Sequence, residues 1–248
     1  MRYADRMGQL GTETAFEVLA KARALEAKGR SIVHLEIGEP DFDTPAAIRE
    51  AAVRALSEGF THYGPSAGLP EVRETIAAFI ARDRGLPVTP DQVVVTPGGK
   101  PVLTFAILAC VNPGDEVVVP DPGFPIYESV VRLAGAKPVS MVLREERDFR
   151  VGAADLEALL TPKTRMVVLN SPHNPTGSVL APKDLDEIAS LLRDRDVWVL
   201  SDEIYSKILY EGAHQSIATR PGMAEKTILL DGFSKTYAMT GWRLGYGV

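Results

Sequence analysis

The sequence reads as an α/β protein, a seven-stranded and mostly parallel sheet with helices on both faces. Three observations predict this. Helix-period and strand-period segments alternate from residue 45 onward. The strand segments are short apolar runs, as expected where helices cover both faces of a sheet. With 248 residues, 45% of them hydrophobic, the chain is long enough for a full α/β core.

The elements follow in order. Strong helix formers at helical spacing predict a helix over 14–28, stopped by Gly29, then a short strand or extended arm over 32–37 and a loop over 38–45. Helices are expected near 46–57, 69–84, 101–111, 126–134, 154–160 and 182–193. Strands are expected at 93–96, 116–120, 137–142, 165–170, 197–200, 227–230 and 243–248. Pro113-Gly114 and Pro122-Gly123 mark turns within the domain, and no internal repeat or low-complexity segment interrupts it. The chain divides into an N-terminal arm, 1–45, and a large domain, 46–248.

Composition excludes several classes of function. The net charge of -6 is spread along the sequence without a basic block, which argues against a nucleic-acid or anionic-membrane surface. The longest apolar run, 102–111, is ten residues, too short to span a bilayer and suited to a buried core helix. No apolar stretch of signal-peptide type follows the N-terminus, so the cytoplasm is the expected compartment. Cys110, the lone cysteine, reads as a buried structural thiol. The four histidines are scattered without metal-ligand spacing, and no Gly-x-Ser-x-Gly elbow is present. Gly98-Gly99-Lys100-Pro101 is not a nucleotide P-loop, because Pro101 stands where Ser or Thr is needed.

Chemistry concentrates in two segments. Ser201-Asp202-Glu203-Ile204-Tyr205 follows the apolar run 197–200, and Gly232-Phe233-Ser234-Lys235-Thr236 follows the run 227–230. Both polar clusters fall at strand carboxyl ends, the edge at which open α/β sheets bind ligands. A lysine able to form a Schiff base and an acid able to face a pyridinium nitrogen are what pyridoxal phosphate chemistry requires. Lys235 and Asp202 are candidates for these roles, although taken singly they read as a surface lysine and a helix-capping aspartate.

Six segments, in order, carry a resemblance: Gly38 to Phe42, Tyr63 to Gly68, Thr96 to Lys100, Asn170 to Gly177, Ser201 to Tyr205, and Ser234-Lys235 through Gly245. Together they make the chain resemble a fold-type I, pyridoxal-phosphate-dependent aminotransferase of class I/II, in the aspartate aminotransferase-like branch. The resemblance covers nearly the whole sequence. It implies the large domain of that fold with one antiparallel strand, the last. It also implies that the small domain is mostly absent, since the sequence ends as that strand finishes. The arm through about Pro45 would then lack its main packing partner.

The resemblance assigns roles to individual residues. Lys235 would bond to the cofactor and move the substrate α-proton, Asp202 would face the pyridine nitrogen, and Tyr205 and Asn174 would hydrogen-bond the phenolic oxygen. Gly98, Gly99 and Lys100 at a helix start, with Ser234 and Arg243, would hold the phosphate, a task suited to helix N-termini and a bidentate guanidinium. Arg243 is also expected to help depress the Lys235 pKa, together with a low-dielectric pocket. Phe124 matches an aromatic that stacks on the ring, with a core phenylalanine as its plainer reading. Tyr63 matches a tyrosine that reaches the neighbouring subunit's phosphate, implying a homodimer. Gly38, with Asn174, falls to the substrate, and Lys100 is also a candidate to assist an acidic substrate.

The implied reaction is amino-group transfer between an amino acid and a 2-keto acid by a ping-pong mechanism, part of amino acid metabolism. Two alternatives stand beside it. One is a pyridoxal-phosphate-dependent lyase or synthase, because the same cradle serves several reactions. The other is a truncated, catalytically weak cofactor-binding fragment, because the family's substrate-carboxylate arginine has no counterpart here.

Overall fold

The parallel strands are near-continuous apolar runs because both of their faces are buried, and the computed structural model shows what buries them. It describes residues 2–11 and 14–248. Among these, seven strands form one sheet: β1 (Val94–Thr96), β2 (Glu116–Asp121), β3 (Lys137–Val142), β4 (Thr164–Asn170), β5 (Trp198–Asp202), β6 (Thr227–Gly232) and β7 (Gly245–Gly247). Their spatial order is β1-β7-β6-β5-β4-β2-β3. β7 runs antiparallel to both of its neighbours, and the other pairings are parallel.

Seven α-helices accompany them among the described residues: α1 (Thr14–Glu26), α2 (Ala46–Ser57), α3 (Pro70–Arg84), α4 (Lys100–Cys110), α5 (Ile126–Leu133), α6 (Ala153–Leu159) and α7 (Pro182–Leu192). Proline opens α3 and α7, where a missing N–H costs nothing, and Gly85 in the left-handed region, φ 67°, closes α3. Alternate residues of each strand divide between two cores. Val117, Val119, Met166, Val168 and Leu200 pack with Leu103, Ile107, Tyr127 and Val131 of α4 and α5. Val118, Val167, Leu169 and Val199 pack on the opposite face with Leu156 of α6 and Leu185, Ile188 and Leu192 of α7. A third cluster sets Ile76 and Ile80 of α3 against Leu229 of β6 and Tyr246 of β7. Each such aliphatic side chain contributes roughly 1.5–3 kcal/mol on full burial.

The structure departs from the sequence reading at several ends. β5 and β6 continue to Asp202 and Gly232, beyond their apolar runs, because ladder bonds do not require apolar side chains. The last strand is Gly245–Gly247 instead of 243–248, since Arg243 has a left-handed backbone, φ 54°, that no ladder accommodates. Residues 32–37 pair with no strand and form the extended arm. The run 102–111 is helical but buries only one side, leaving Phe105 and Leu108 exposed, and Cys110 is half-buried where full burial was expected. The 38–45 loop of the arm has partners. Thr44 donates to Ala238 O at 2.5 Å, Trp242 Nε1 to Thr44 Oγ1 at 3.0 Å, and Thr240 Oγ1 to Glu39 Oε2 at 2.9 Å. No helix among the described residues is long and apolar enough to cross a membrane.

Candidate active site

The parallel strands end along one edge, and that edge gathers the polar segments. β4 ends at Asn170 beside Asp202 of β5, which pairs in turn with Leu230 of β6, three residues before Phe233. Because β7 is antiparallel, its first residue, Gly245, lies opposite both Gly232 and Thr96. Arg243, just before β7, therefore arrives at the same edge as residues that follow strands.

Contacts gather seven of the predicted residues into two groups, one around Lys235 and one around Asp202. Lys235 Nζ lies 5.7 Å from the centre of the Tyr205 ring and donates to Gly38 O at 2.6 Å. Asp202, 6% exposed, accepts a hydrogen bond from Tyr127 Oη at 2.7 Å and one from the Ile204 N–H at 3.2 Å. Tyr127 meets Phe124 edge-on with ring centres 5.8 Å apart, and Lys100 Nζ sits 5.6 Å from the Phe124 ring centre. Asn170 Nδ2 donates to Asp202 O at 3.0 Å, while its Oδ1 accepts the Asn174 N–H at 2.8 Å.

The glycines of this edge are dictated by close approach. Gly98 has φ 90°, and a Cβ there would fall 2.2 Å from Arg243 Nη2. A Cβ on Gly245 would fall 2.6 Å from the Gly98 carbonyl carbon and 2.7 Å from Gly99 N. The Gly98-Gly99 loop, the start of α4 and the Arg243 guanidinium therefore press together too closely to admit a side chain. Helix starts leave backbone N–H groups without intrahelical partners, so the chemistry of this corner suits an anion.

Burial dominates the electrostatics. It raises the Asp202 carboxyl to about 6, even though the Tyr127 and Ile204 donors favour the ionised form. Burial lowers the Lys235 pKa, opposed by the Glu39 carboxylate. The Arg243 contribution expected for Lys235 is not among the causes; that guanidinium lies against Gly98 and donates to Thr240 O at 2.9 Å. Burial, with the Asp202 charge adding to it, raises Tyr205. Asp202 is thus a carboxyl held by neutral donors, poised to favour a cationic partner, and Lys235 is an amine whose neutral form is made more accessible.

The remaining predicted residues vary in placement. Ser234 is half-buried directly before Lys235. Tyr63 is fully exposed, with no hydrogen bond or ring contact among the described residues. Sequence reasoning missed Tyr127 and the Asn170 side chain, which fix Asp202 and Asn174. Asn170 stood inside a recognised motif, whereas nothing in its local sequence distinguishes Tyr127 from a core aromatic. A cavity of about 790 Å³ beside the Lys235 segment is lined by Glu39 to Thr44, Ala238 and Thr240 to Trp242. No cluster of three or more potential metal ligands occurs among the described residues.

Comparison with known proteins places this geometry. Residues 30–248 match the sequence profile of the family described as aminotransferase class I and II. The aromatic-amino-acid aminotransferase 2 of Thermococcus litoralis is 42% identical over 248 residues, covering 99% of this chain and 63% of that protein. The arginine–pyruvate transaminase of Pseudomonas aeruginosa is 42% identical over 250 residues, covering 100% of this chain and 64% of that one. Among solved structures, the aspartate aminotransferase from Thermus thermophilus with maleate matches with a TM-score of 0.96 at 42% identity, covering 100% of this chain and 64% of that one. The chain thus spans slightly less than two thirds of the length of these relatives. By the profile match and by these likenesses in sequence and fold, it belongs to the aminotransferase class I and II family.

Proposed function

We propose that this chain forms the cofactor-binding part of a pyridoxal-phosphate-dependent aminotransferase that moves an amino group between an amino acid and a 2-keto acid. The observation that carries the reading is the buried Asp202 carboxyl, bonded by neutral donors at the β5 end and joined through Tyr127 and Phe124 to the glycine corner. The residues present fit the cofactor: a glycine loop at a helix start pressed against the Arg243 guanidinium, a carboxyl tuned for a cationic ring nitrogen, and an amine of lowered pKa.

When bound, pyridoxal phosphate supplies an aldehyde that bonds to amines and a ring that accepts the electron pair left at the substrate α-carbon. Gly98, Gly99 and Lys100 at the start of α4, with Ser234 and Arg243, would hold its phosphate. Asp202 would hold a proton at the ring nitrogen, Tyr205 and Asn174 would donate to the phenolic oxygen, and Phe124 would pack on the ring. Lys235 would supply the amine and the base that moves the substrate α-proton. Gly38, whose carbonyl accepts from Lys235, would meet the substrate carboxylate through its N–H. The exposure of Tyr63 suits a role in a homodimer. The relatives' named donors differ, so the donor remains to be identified by assay.

The test is the absorption spectrum of the purified chain with pyridoxal phosphate, taken for the native sequence and for Lys235→Ala. A pH-sensitive visible band that depends on Lys235 is expected, and its loss on adding one member of an amino acid panel identifies the donor. An identical spectrum in both proteins would sink the reading.

A further inference from the structure

Beneath the strand edge lies a buried ionic cluster that no step of the proposed chemistry uses. Arg84, the last residue of α3, has a fully buried side chain. Its Nε donates to Glu203 Oε2 at 2.9 Å and its Nη2 to Asp231 Oδ2 at 2.7 Å, while Nη1 contacts Asp83. Glu203 also accepts from Ser216 Oγ at 2.5 Å and Ser201 Oγ at 3.0 Å, and it pairs with His214 Nε2 at 2.7 Å. Asp231 Oδ1 accepts the Gly232 N–H at 2.7 Å. Glu203 directly follows Asp202, and Asp231 lies four residues before Lys235.

This placement gives the guanidinium a mechanical role. Just past β5 the Glu203 N–H to Leu230 O bond, 2.8 Å, closes the pairing of β5 with β6; the β5 chain then turns away, while β6 runs on through Asp231 to Gly232 paired with β7. A planar fork bonded to Glu203, just past β5, and to Asp231, within β6, fixes the separation and relative twist of the two chains where their mutual pairing stops. Alternation sends Asp202 and Glu203 to opposite faces, so Arg84 acts from the α3 side without touching the ligand side. A hydrophobic cluster there would provide cohesion but not direction, whereas two charge-assisted bonds from one rigid group set geometry.

From this geometry we infer that Arg84 is a positioning residue of the site: through Glu203 and Asp231 it holds the ends of β5 and β6 so that Asp202 and Lys235 address the same ligand. The inference rests on the cofactor reading above for what that ligand is, but its structural half can be measured without any ligand.

The experiment uses the 248-residue chain with Arg84→Met and Arg84→Lys. Two readouts are taken: native-state amide exchange at Glu203, Phe233 and, for reference, Val167 and Val168 of β4; and the dissociation constant for pyridoxal phosphate from the Lys235-dependent band. In Arg84→Met, exchange at Glu203 and Phe233 is expected to rise by about tenfold or more relative to the β4 amides. The dissociation constant is expected to rise on the order of tenfold to a hundredfold. Arg84→Lys keeps the charge and loses the fork, so it should fold yet recover only part of both losses. Exchange that rises uniformly, with unchanged cofactor affinity, overturns the proposal in favour of a purely stabilising role. If Arg84→Met does not fold, Arg84→Lys decides, and native-like exchange and affinity in it overturn the proposal. If the native sequence shows no Lys235-dependent band, the cofactor reading fails, and the exchange pattern alone settles the role of Arg84.

Discussion

Asp202 and Glu203 are adjacent and both buried, yet the two sides of the β5 end drive their acidities apart. On the α5 side, burial raises Asp202 to about 6, and only the neutral Tyr127 hydroxyl and the Ile204 N–H oppose it. On the α3 side, burial works in the same direction, but His214, Arg84 and Ser216 together hold Glu203 down to about 2. Burial acts on both, but Glu203 has His214, Arg84 and Ser216 around it while Asp202 has only dipoles; Arg84 by itself does not suffice, since Asp231, bonded to the same guanidinium, stays raised. Two carboxyls pushed in opposite directions at one strand end divide the labour: the paired one is structural, and the one held by dipoles retains the capacity to engage a cation from outside.

The largest effect is expected on the paired side. Replacing Glu203→Leu leaves Arg84 with fewer partners and His214 with none for Nε2, and should cost about 3–5 kcal/mol of stability in a urea titration. A loss below about 1 kcal/mol would mean that the cluster contributes no more than a surface pair.

On the other side the sign reverses. The Asp202 pKa in the folded chain exceeds its ordinary value of 3.8, so the folded state binds the proton more tightly than the unfolded state. Stability from this group is therefore fullest at low pH and falls as pH rises from about 4 to about 6, then stays level. Asp231, which burial raises to about 7 against the pull of Arg84, extends the decline. Asp202→Asn should remove the Asp202 share, stabilising the ligand-free chain by about 1–3 kcal/mol at pH values above 6 while weakening pyridoxal phosphate binding. Urea titrations across pH check the first half, and an unchanged slope in that window would break the comparison.

The smallest effect sharpens it. Tyr127→Phe deletes the donor that most restrains the rise of Asp202, so the Asp202 midpoint should move further up in a carboxyl-carbon NMR titration. The accompanying loss of stability above the midpoint is about 1.5 kcal/mol, the lower end for a hydrogen bond to a charged group. A midpoint that stays in place would assign the control of Asp202 to burial alone.

Much of this molecule was legible in its sequence, for definable reasons. α2 and β3 begin and end where spacing predicts, the helix between Pro45 before it and Gly59 just beyond it. Strand ends were less legible, since the ladder carries β5 and β6 through polar residues that have no periodic signal. Lys235 and Asp202 stood out because a polar cluster after a buried strand marks the ligand edge of an α/β sheet. Arg84 did not, because it reads as an ordinary basic residue in the last turn of a helix, and Tyr127 is one aromatic among the apolar positions of α5.

By itself the sequence determined which segments are helix and strand, that both sheet faces are covered, and that Lys235 and Asp202 follow or end neighbouring strands. These follow from local periodicity, which acts over a few residues. Only the tertiary structure decided which carboxyl receives a cation. Arg84 meets Glu203 across 119 residues of chain, and Tyr127 meets Asp202 across 75. Such pairings are set by which helix packs on which face of the sheet. Burial raises every one of these acids, and whether one ends above or below its ordinary value depends on the whole set of partners that packing brings beside it.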